Sequence, residues 1–473
     1  MYGNKNKQKT SVLKNLYTVF YILLFVLTFI SQANAVTLTH PEQKDMIVDE
    51  DGIFFSGKIN RHEKVYINGV LIKPAKFGAF SYSVPLKDGE NIIAVQAKEW
   101  TGHNETIKYT ITKTPKKHDE NYNKFVPCEP GYYITTKDNV VLRSSPIDKG
   151  MNRLGYLPED TKIVVDGTHN EFSRAYLTKD KYAWVMTKDL KKLPLEEFLY
   201  VPNSIVETDQ IKTNSDTTYI YTLTDNTPYS AVVNDDKLIL TIYNLDNSDE
   251  LYEKTFSLGK FPRYNVCMQN GILYLTFKNC PISKANYSNK NVKIVIDPGH
   301  GGSERGAIGC LGDIEKNYNL KVGLRLKKLL QEHNYDVIMT RETDKFISLN
   351  DRIKFAKDND ALIFVSIHMN SVPISDDPNL NEGTLTFYFN PQSKNAAKTV
   401  SKSLAQNLKV SDGGATQASF AVIRPTDYIG ILAELVYLVN PKDVPVYRSK
   451  KFVNTSAQAI YQGLINYIHS ELD

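Results

Sequence analysis

Cysteine is scarce: four residues in 473. Cys128, Cys267, Cys280 and Cys310 have neither the paired spacing of a zinc knuckle nor the density of a disulfide framework. A cysteine-scaffolded fold is therefore excluded. One bridge stays open if the chain is exported, with Cys267 and Cys280 the closest pair in sequence. An excess of one charge is also missing, with 57 Lys+Arg against 53 Asp+Glu and a net charge of +4. No Arg-rich stripe or RNA-binding signature occurs, so nucleic acid is not expected as a partner. Beyond Val36 no apolar run is long enough to span a bilayer. There is no low-complexity tract and no repeat of fixed period.

What is present is ordinary for folded, soluble protein: 41% hydrophobic and 23% charged residues. The length implies two to four domains, at about 100–200 residues each. Tyrosine is abundant at 29 residues. Tyr can stack on sugars, but most tyrosines are expected half-buried in strands.

Lys5, Lys7, Lys9 and Lys14 precede the apolar run Leu16–Ile30, and Ala33-Asn34-Ala35 follows. A basic start, a short apolar segment and an A-x-A site read as a signal peptide over 1–35. The alternative is an uncleaved anchor, and either reading exports the rest. After cleavage no membrane association is expected, and a monomer is. Export means a periplasmic or extracellular protein.

Three β-rich stretches follow. Over 36–115, short alternating runs are separated by Asn68-Gly69 and Asp88-Gly89, both tight-hairpin signals. This pattern resembles the Ig-like sandwiches of exported bacterial enzymes. A polar linker is expected over 116–130. Over 131–193, Val140-Val141-Leu142-Arg143-Ser144-Ser145-Pro146 and later Ala183-Trp184-Val185 stand in the order of a bacterial SH3 module, which they resemble. Ser145 and Ala183 replace that family's usual glycines. Over 205–288, strands such as Leu238–Tyr243 and Ile272–Phe277 resemble the AMIN-type modules of cell-wall enzymes. Wall binding or simple spacing is expected of all three.

From 291 to 473 the character changes. Lys293–Ile296 and Ala361–Ile367 are apolar without alternation, as in strands covered on both faces. Helices are expected at about Glu315–His333, Leu349–Lys357, Lys394–Leu408 and Lys451–Leu472. Further strands are expected at Asp336–Thr340, Gly383–Phe389 and Ile431–Leu438. The order gives an open, mostly parallel α/β sheet with helices on both faces. The fold class is thus multidomain: all-β modules followed by an α/β domain.

Functional groups in such sheets gather at the carboxyl ends of strands. His300 and His368 stand at two such ends, and Glu315 opens the first helix. Two imidazoles and a carboxylate match a catalytic Zn2+ set with one position left for water. Each alone has a plainer reading: a tight turn at His300, a hydrogen-bonded strand-end His368, a solvated helix-terminal Glu315. Glu434 lies inside the apolar run Ile431–Val436, where a carboxylate is costly unless paired or functional. A buried ion pair with Arg341 or Arg424 is its plainer reading.

Taken in order, the residues are Ile296-Asp297-Pro298-Gly299-His300-Gly301-Gly302, Gly306-Ala307, Glu315-Lys316, Thr340-Arg341-Glu342-Thr343-Asp344, Leu349-Asn350-Asp351-Arg352, Ser366-Ile367-His368-Met369-Asn370, Arg424-Pro425-Thr426, Ala433-Glu434 and Asn440-Pro441. Over 291–473 this resembles the zinc N-acetylmuramoyl-L-alanine amidases of the Amidase_3 type. The resemblance implies zinc ligation by His300, Glu315 and His368 and general base/acid work by Glu434. It implies peptidoglycan as the partner and hydrolysis of the amide between N-acetylmuramic acid and L-alanine. Asp297, Arg341, Asn370 and Arg424 become candidates for supporting the site or touching substrate. Two other classes remain: an inactive wall-binding or activator protein, and a zinc peptidase acting within the stem peptide. Glu304, Arg305, Met369 and Gly430 depart from the family pattern, and Met369 is expected to narrow or reshape the groove. Some members insert an inhibitory helix after the strand ending near Phe389; here only Asn390 to Asn395 intervenes.

Overall fold

The computed structural model describes residues 36–99, 102, 104–115, 124–148, 150–178, 180–194, 203–243, 251–280, 282–283 and 287–472. The expected signal peptide and the His118–Tyr122 part of the expected linker lie outside these residues.

The first β unit is a sandwich. One sheet holds Val36–His40, Gly52–Ile59 and Ala79–Pro85; the other holds Asp45–Val48, Lys64–Ile67, Val70–Ile72, Gly89–Lys98 and Asn104–Lys113. Alternating residues such as Ile53, Phe55, Val65, Phe80, Val95 and Ile111 fill the space between them. Asn68 (φ 47°) and Gly69 (φ 81°) close the Lys64–Ile72 hairpin, since a two-residue turn of this kind needs positive φ twice. The second unit is a seven-stranded antiparallel sheet over 126–192. Its first strand, Val126–Thr135, begins inside the stretch read as linker, because residues 126 and 127 pair with Thr168 and Gly167. The third unit, Ile205 to Lys278, stacks a four-stranded on a three-stranded sheet around Tyr221, Leu238, Leu240, Leu273 and Leu275.

The α/β domain runs β1 (Lys293–Pro298), α1 (Glu315–Glu332), β2 (Asp336–Met339), α2 (Leu349–Asp358), β3 (Ile363–Asn370), β4 (Thr384–Tyr388), α3 (Lys394–Leu408), β5 (Asp412–Gln417), β6 (Ile429–Tyr437), α4 (Val444–Tyr447) and α5 (Phe452–Leu472). The sheet order is β2-β1-β3-β6-β4-β5. Strands β2, β1, β3 and β6 are parallel, β4 is antiparallel to β6, and β5 is parallel to β4. Both faces are covered, which explains the unbroken apolar runs. Ile294, Ile296 and Val365 meet Val322 and Leu326 of α1, Val400 of α3 and Ile460 of α5. Val295, Phe364 and Leu432 meet Ala356 of α2 and Tyr428 on the other side. Ser348 caps α2, its hydroxyl accepting from the Asp351 amide at 3.1 Å.

All four cysteines are free thiols. The Cys267–Cys280 bridge does not form: Cys267 pairs with Tyr274 across the hairpin, which leaves about 20 Å of extended chain before Cys280. Among the described residues no helix is long and apolar enough to cross a membrane.

Candidate metal centre

The parallel register brings the candidate residues to one end of the sheet. β1 stops at Pro298, and the chain turns through Gly299 and His300 (φ 59°). Gly299 is required there, since a Cβ would collide with the His368 ring. β3 carries His368 past the end of β1. In register with it on β6 stands Glu434. Glu315 is the first residue of α1 and reaches into the same space.

His368 Nδ1 lies 2.8 Å from Glu315 Oε1, and His300 Nε2 lies 3.2 Å from Glu315 Oε2. One ligand atom from each of the three falls within 4.8 Å of the others. Glu315 is buried while both imidazoles are partly open, so the cluster faces solvent on one side. The Ala307 amide donates to Oε2 at 2.7 Å, and the Met369 amide and Asn319 Nδ2 each donate to Oε1 at 3.2 Å. Gly306 (φ 68°) makes the first contact possible, because a side chain there would strike both Glu315 and His300. Burial opposes charge on Glu315, yet hydrogen bonds from the two histidines hold its carboxyl well below the usual range. Two imidazole nitrogens and an ionised carboxylate, open on one side, fit a zinc ion that keeps a position for water.

Glu434 is different. It is buried, its Oε2 has no hydrogen-bond partner, and no ion pair forms to it among the described residues. Burial first, then the charge of Glu315, pushes its carboxyl well above the ordinary range. The ion-pair reading is thereby corrected. Arg341 is spent on backbone carbonyls, donating to Pro298, Gly299, Thr343 and Lys316. Arg424 donates to Ser419 instead.

Arg424 is not part of the site. It precedes β6, at the end of the sheet opposite Glu434, and its carbonyl accepts from Asn390 beyond β4. A stretch Arg-Pro-Thr says nothing about which end of a strand it flanks. Met369 is also corrected: it is 1% exposed and packs in the main core, so its side chain does not line the groove. Asn370 ends β3 two residues past His368 and accepts from the Ser371 amide. Between β4 and α3 only a short turn, Pro391–Ser393, intervenes.

Asp297 and Arg341 sit beneath the centre. Asp297 accepts from Arg352 Nη1 (2.6 Å), Thr340 Oγ1 (2.6 Å) and Ser366 Oγ (2.8 Å), ringed on every side. Arg352 also donates to the carbonyls of Pro298 and His300. Thr340, Arg352 and Ser366 lie in the motifs quoted above but had no role assigned from sequence, and Asn319 was not named. Spacing alone does not tell that Arg352, on a helix, folds back on the turn after β1. Replacing Asp297 with Asn is expected to lower unfolding free energy by about 3 kcal/mol or more, as when one partner of a buried pair is lost. Chemical denaturation measures this; an unchanged midpoint would show that the Asp297–Arg352 pair does not hold the turn.

Residues 294–466 match the family model described as N-acetylmuramoyl-L-alanine amidase. Over 197 residues the chain is 36% identical to a probable cell wall amidase, LytH, of Staphylococcus epidermidis, covering 41% of this chain and 64% of that protein. It is 32% identical over 199 residues to the uncharacterized protein YqiI of Bacillus subtilis, covering 41% of this chain and 93% of that one. A solved structure, the N-acetylmuramoyl-L-alanine amidase AmiC2 of Nostoc punctiforme, is similar at 32% identity, with 39% of this chain and 99% of that chain covered and a TM-score of 0.36. The chain thus spans less than two thirds of the length of the first of these relatives.

Proposed function

We propose that this chain, which belongs to the N-acetylmuramoyl-L-alanine amidase family, hydrolyses the amide between N-acetylmuramic acid and the L-alanine of the peptidoglycan stem. The observation that carries this reading is the meeting of His300, Glu315 and His368 within 4.8 Å, with the unpaired Glu434 in register beside His368. His300, Glu315 and His368 would hold one zinc ion. When bound there, zinc supplies the Lewis acidity that an inert amide requires.

The chain's own groups do the rest. Glu434 takes a proton from the attacking water at its free Oε2 and delivers it to the leaving amine nitrogen. Its place in register beside His368, with Oε2 free of any partner among the described residues, suits a group that must hold a proton between two steps. Arg341 and Arg352 fix the Pro298–His300 backbone, so His300 presents its ring without rearrangement. Asn370, at the mouth of β3, is a substrate-contact residue in this reading.

The same reading puts the protein outside the cell membrane, at the wall, because the relatives include a probable cell wall amidase. The second and third β units then hold it near its polymer. An inactive wall-binding role is disfavoured because all three donors and the base are present. Removing metal with a chelator should stop release of soluble fragments from sacculi, and about one equivalent of zinc should restore it. Undiminished release from metal-free protein would sink the reading.

A further inference from the structure

The first β unit has an outer face that is buried. In a sandwich, strand residues alternate between the core and the outside. Ile53, Phe55 and Phe80 point into its core. Their neighbours Phe54 (3% exposed), Ser56 (0%), Ala79 (0%) and Ser81 (8%) belong to the other face, yet they are as buried as the core. Ala79 packs within the main core of the α/β domain. The face therefore sits against that domain.

Several of its contacts fall on two loops that flank the candidate metal centre. The first loop, 301–314, joins His300 to Glu315. His40 Nε2 is 2.8 Å from the Ile308 carbonyl, which only accepts, so the ring donates. Arg305 Nη2 reaches both oxygens of Glu42, at 2.9 and 2.8 Å. Ile308 adjoins Ala307, whose amide donates to Glu315 Oε2 and whose carbonyl accepts from the Glu315 amide. The second loop, 371–382, leaves β3 just after His368. There the Phe54 amide donates to the Ile374 carbonyl at 3.0 Å, Asn379 donates to the Ser81 carbonyl at 3.1 Å, and Ile374 packs on the sandwich core. Ser81 Oγ also donates to the Val439 carbonyl, just past β6, at 2.8 Å.

We infer that the first β unit is a brace for the metal centre, with His40 a positioning residue that holds the 301–314 loop and, through Ala307, the Glu315 carboxylate. The inference rests on the reading of His300, Glu315 and His368 as zinc ligands. A ligand carboxylate is only as well placed as the groups that hydrogen-bond it, and losing such support typically costs 10- to 100-fold in metal affinity. A unit that served only to bind the wall would have no reason to bury this face against both loops.

The test compares full-length His40→Ala and His40→Gln with the parent chain. Zinc affinity is read by chelator competition, loop order by amide hydrogen exchange over 301–314, and kcat and KM on soluble muropeptides. His40→Ala should bind zinc about tenfold more weakly, exchange faster over 301–314, and lose kcat with KM nearly unchanged. Gln can donate to the same carbonyl, so His40→Gln should recover most of each effect. Unchanged zinc affinity and exchange in folded His40→Ala would overturn the inference. So would equal loss in both variants, which would mark His40 as a packing residue. Should His40→Ala not fold, Glu42→Ala removes only the exposed pair, and exchange over 301–314 should rise about two- to fivefold; no rise would overturn the inference. If the parent chain binds no zinc or cuts no muropeptide, the proposed function fails, while the exchange comparison still decides whether the brace exists.

Discussion

Glu434→Gln is expected to leave a folded protein that holds about one zinc but turns over at least about 100-fold more slowly. The change keeps shape and volume and removes the basic oxygen. Nothing is broken by it, since Glu434 makes no ion pair among the described residues and its Oε2 has no partner. The pH dependence of stability follows from the same geometry. The carboxyl's proton affinity is raised in the folded, metal-free chain, so the native state holds this proton more tightly than the unfolded state. The raised affinity stabilises the fold fully below the unfolded value of about 4.3, and that stability is lost as pH rises through the folded value. Metal-free Glu434→Gln should lack that decline in a melting series against pH. Near-normal turnover by the zinc-loaded variant would remove Glu434 from the mechanism.

The second large effect is expected at His368. His368→Ala should lose both zinc and activity, because one of three protein donors is gone and two rarely hold zinc. The fold should survive. The ring lies at the end of β3, partly open, and among the described residues it hydrogen-bonds to Glu315 alone. Full turnover with bound zinc would show that the ligand set is misassigned. Together the two variants separate roles: one loses chemistry and keeps metal, the other loses both.

The α/β half was legible because its physics is local. Continuous apolar runs such as Ile294–Ile296 arise from strands covered on both faces, and α3, expected at about Lys394–Leu408, is found there. β5 was missed: Asp412–Gln417 reads DGGATQ, an exposed edge strand with no apolar alternation to mark it. That His300, Glu315 and His368 come together was readable, since each stands at a strand end or helix start. The surroundings were not. The left-handed backbone at His300, the ring of donors on Asp297 and the distance of Arg424 from the centre all depend on which end of the sheet a segment reaches. The buried outer face of the first β unit was equally hidden, because alternation places Phe54 and Ser56 outside the core without saying what covers them.

The most direct test of the central claim is the bond that is cut. Purified muropeptides would be digested with the zinc-loaded chain, residues 36–473, and the products resolved by mass spectrometry. Intact stem peptides with a free L-alanine amine, together with glycans bearing a free lactyl carboxylate, are the expected result. Fragments cleaved within the stem, with the lactyl amide intact, would contradict it and favour a zinc peptidase built on the same three ligands.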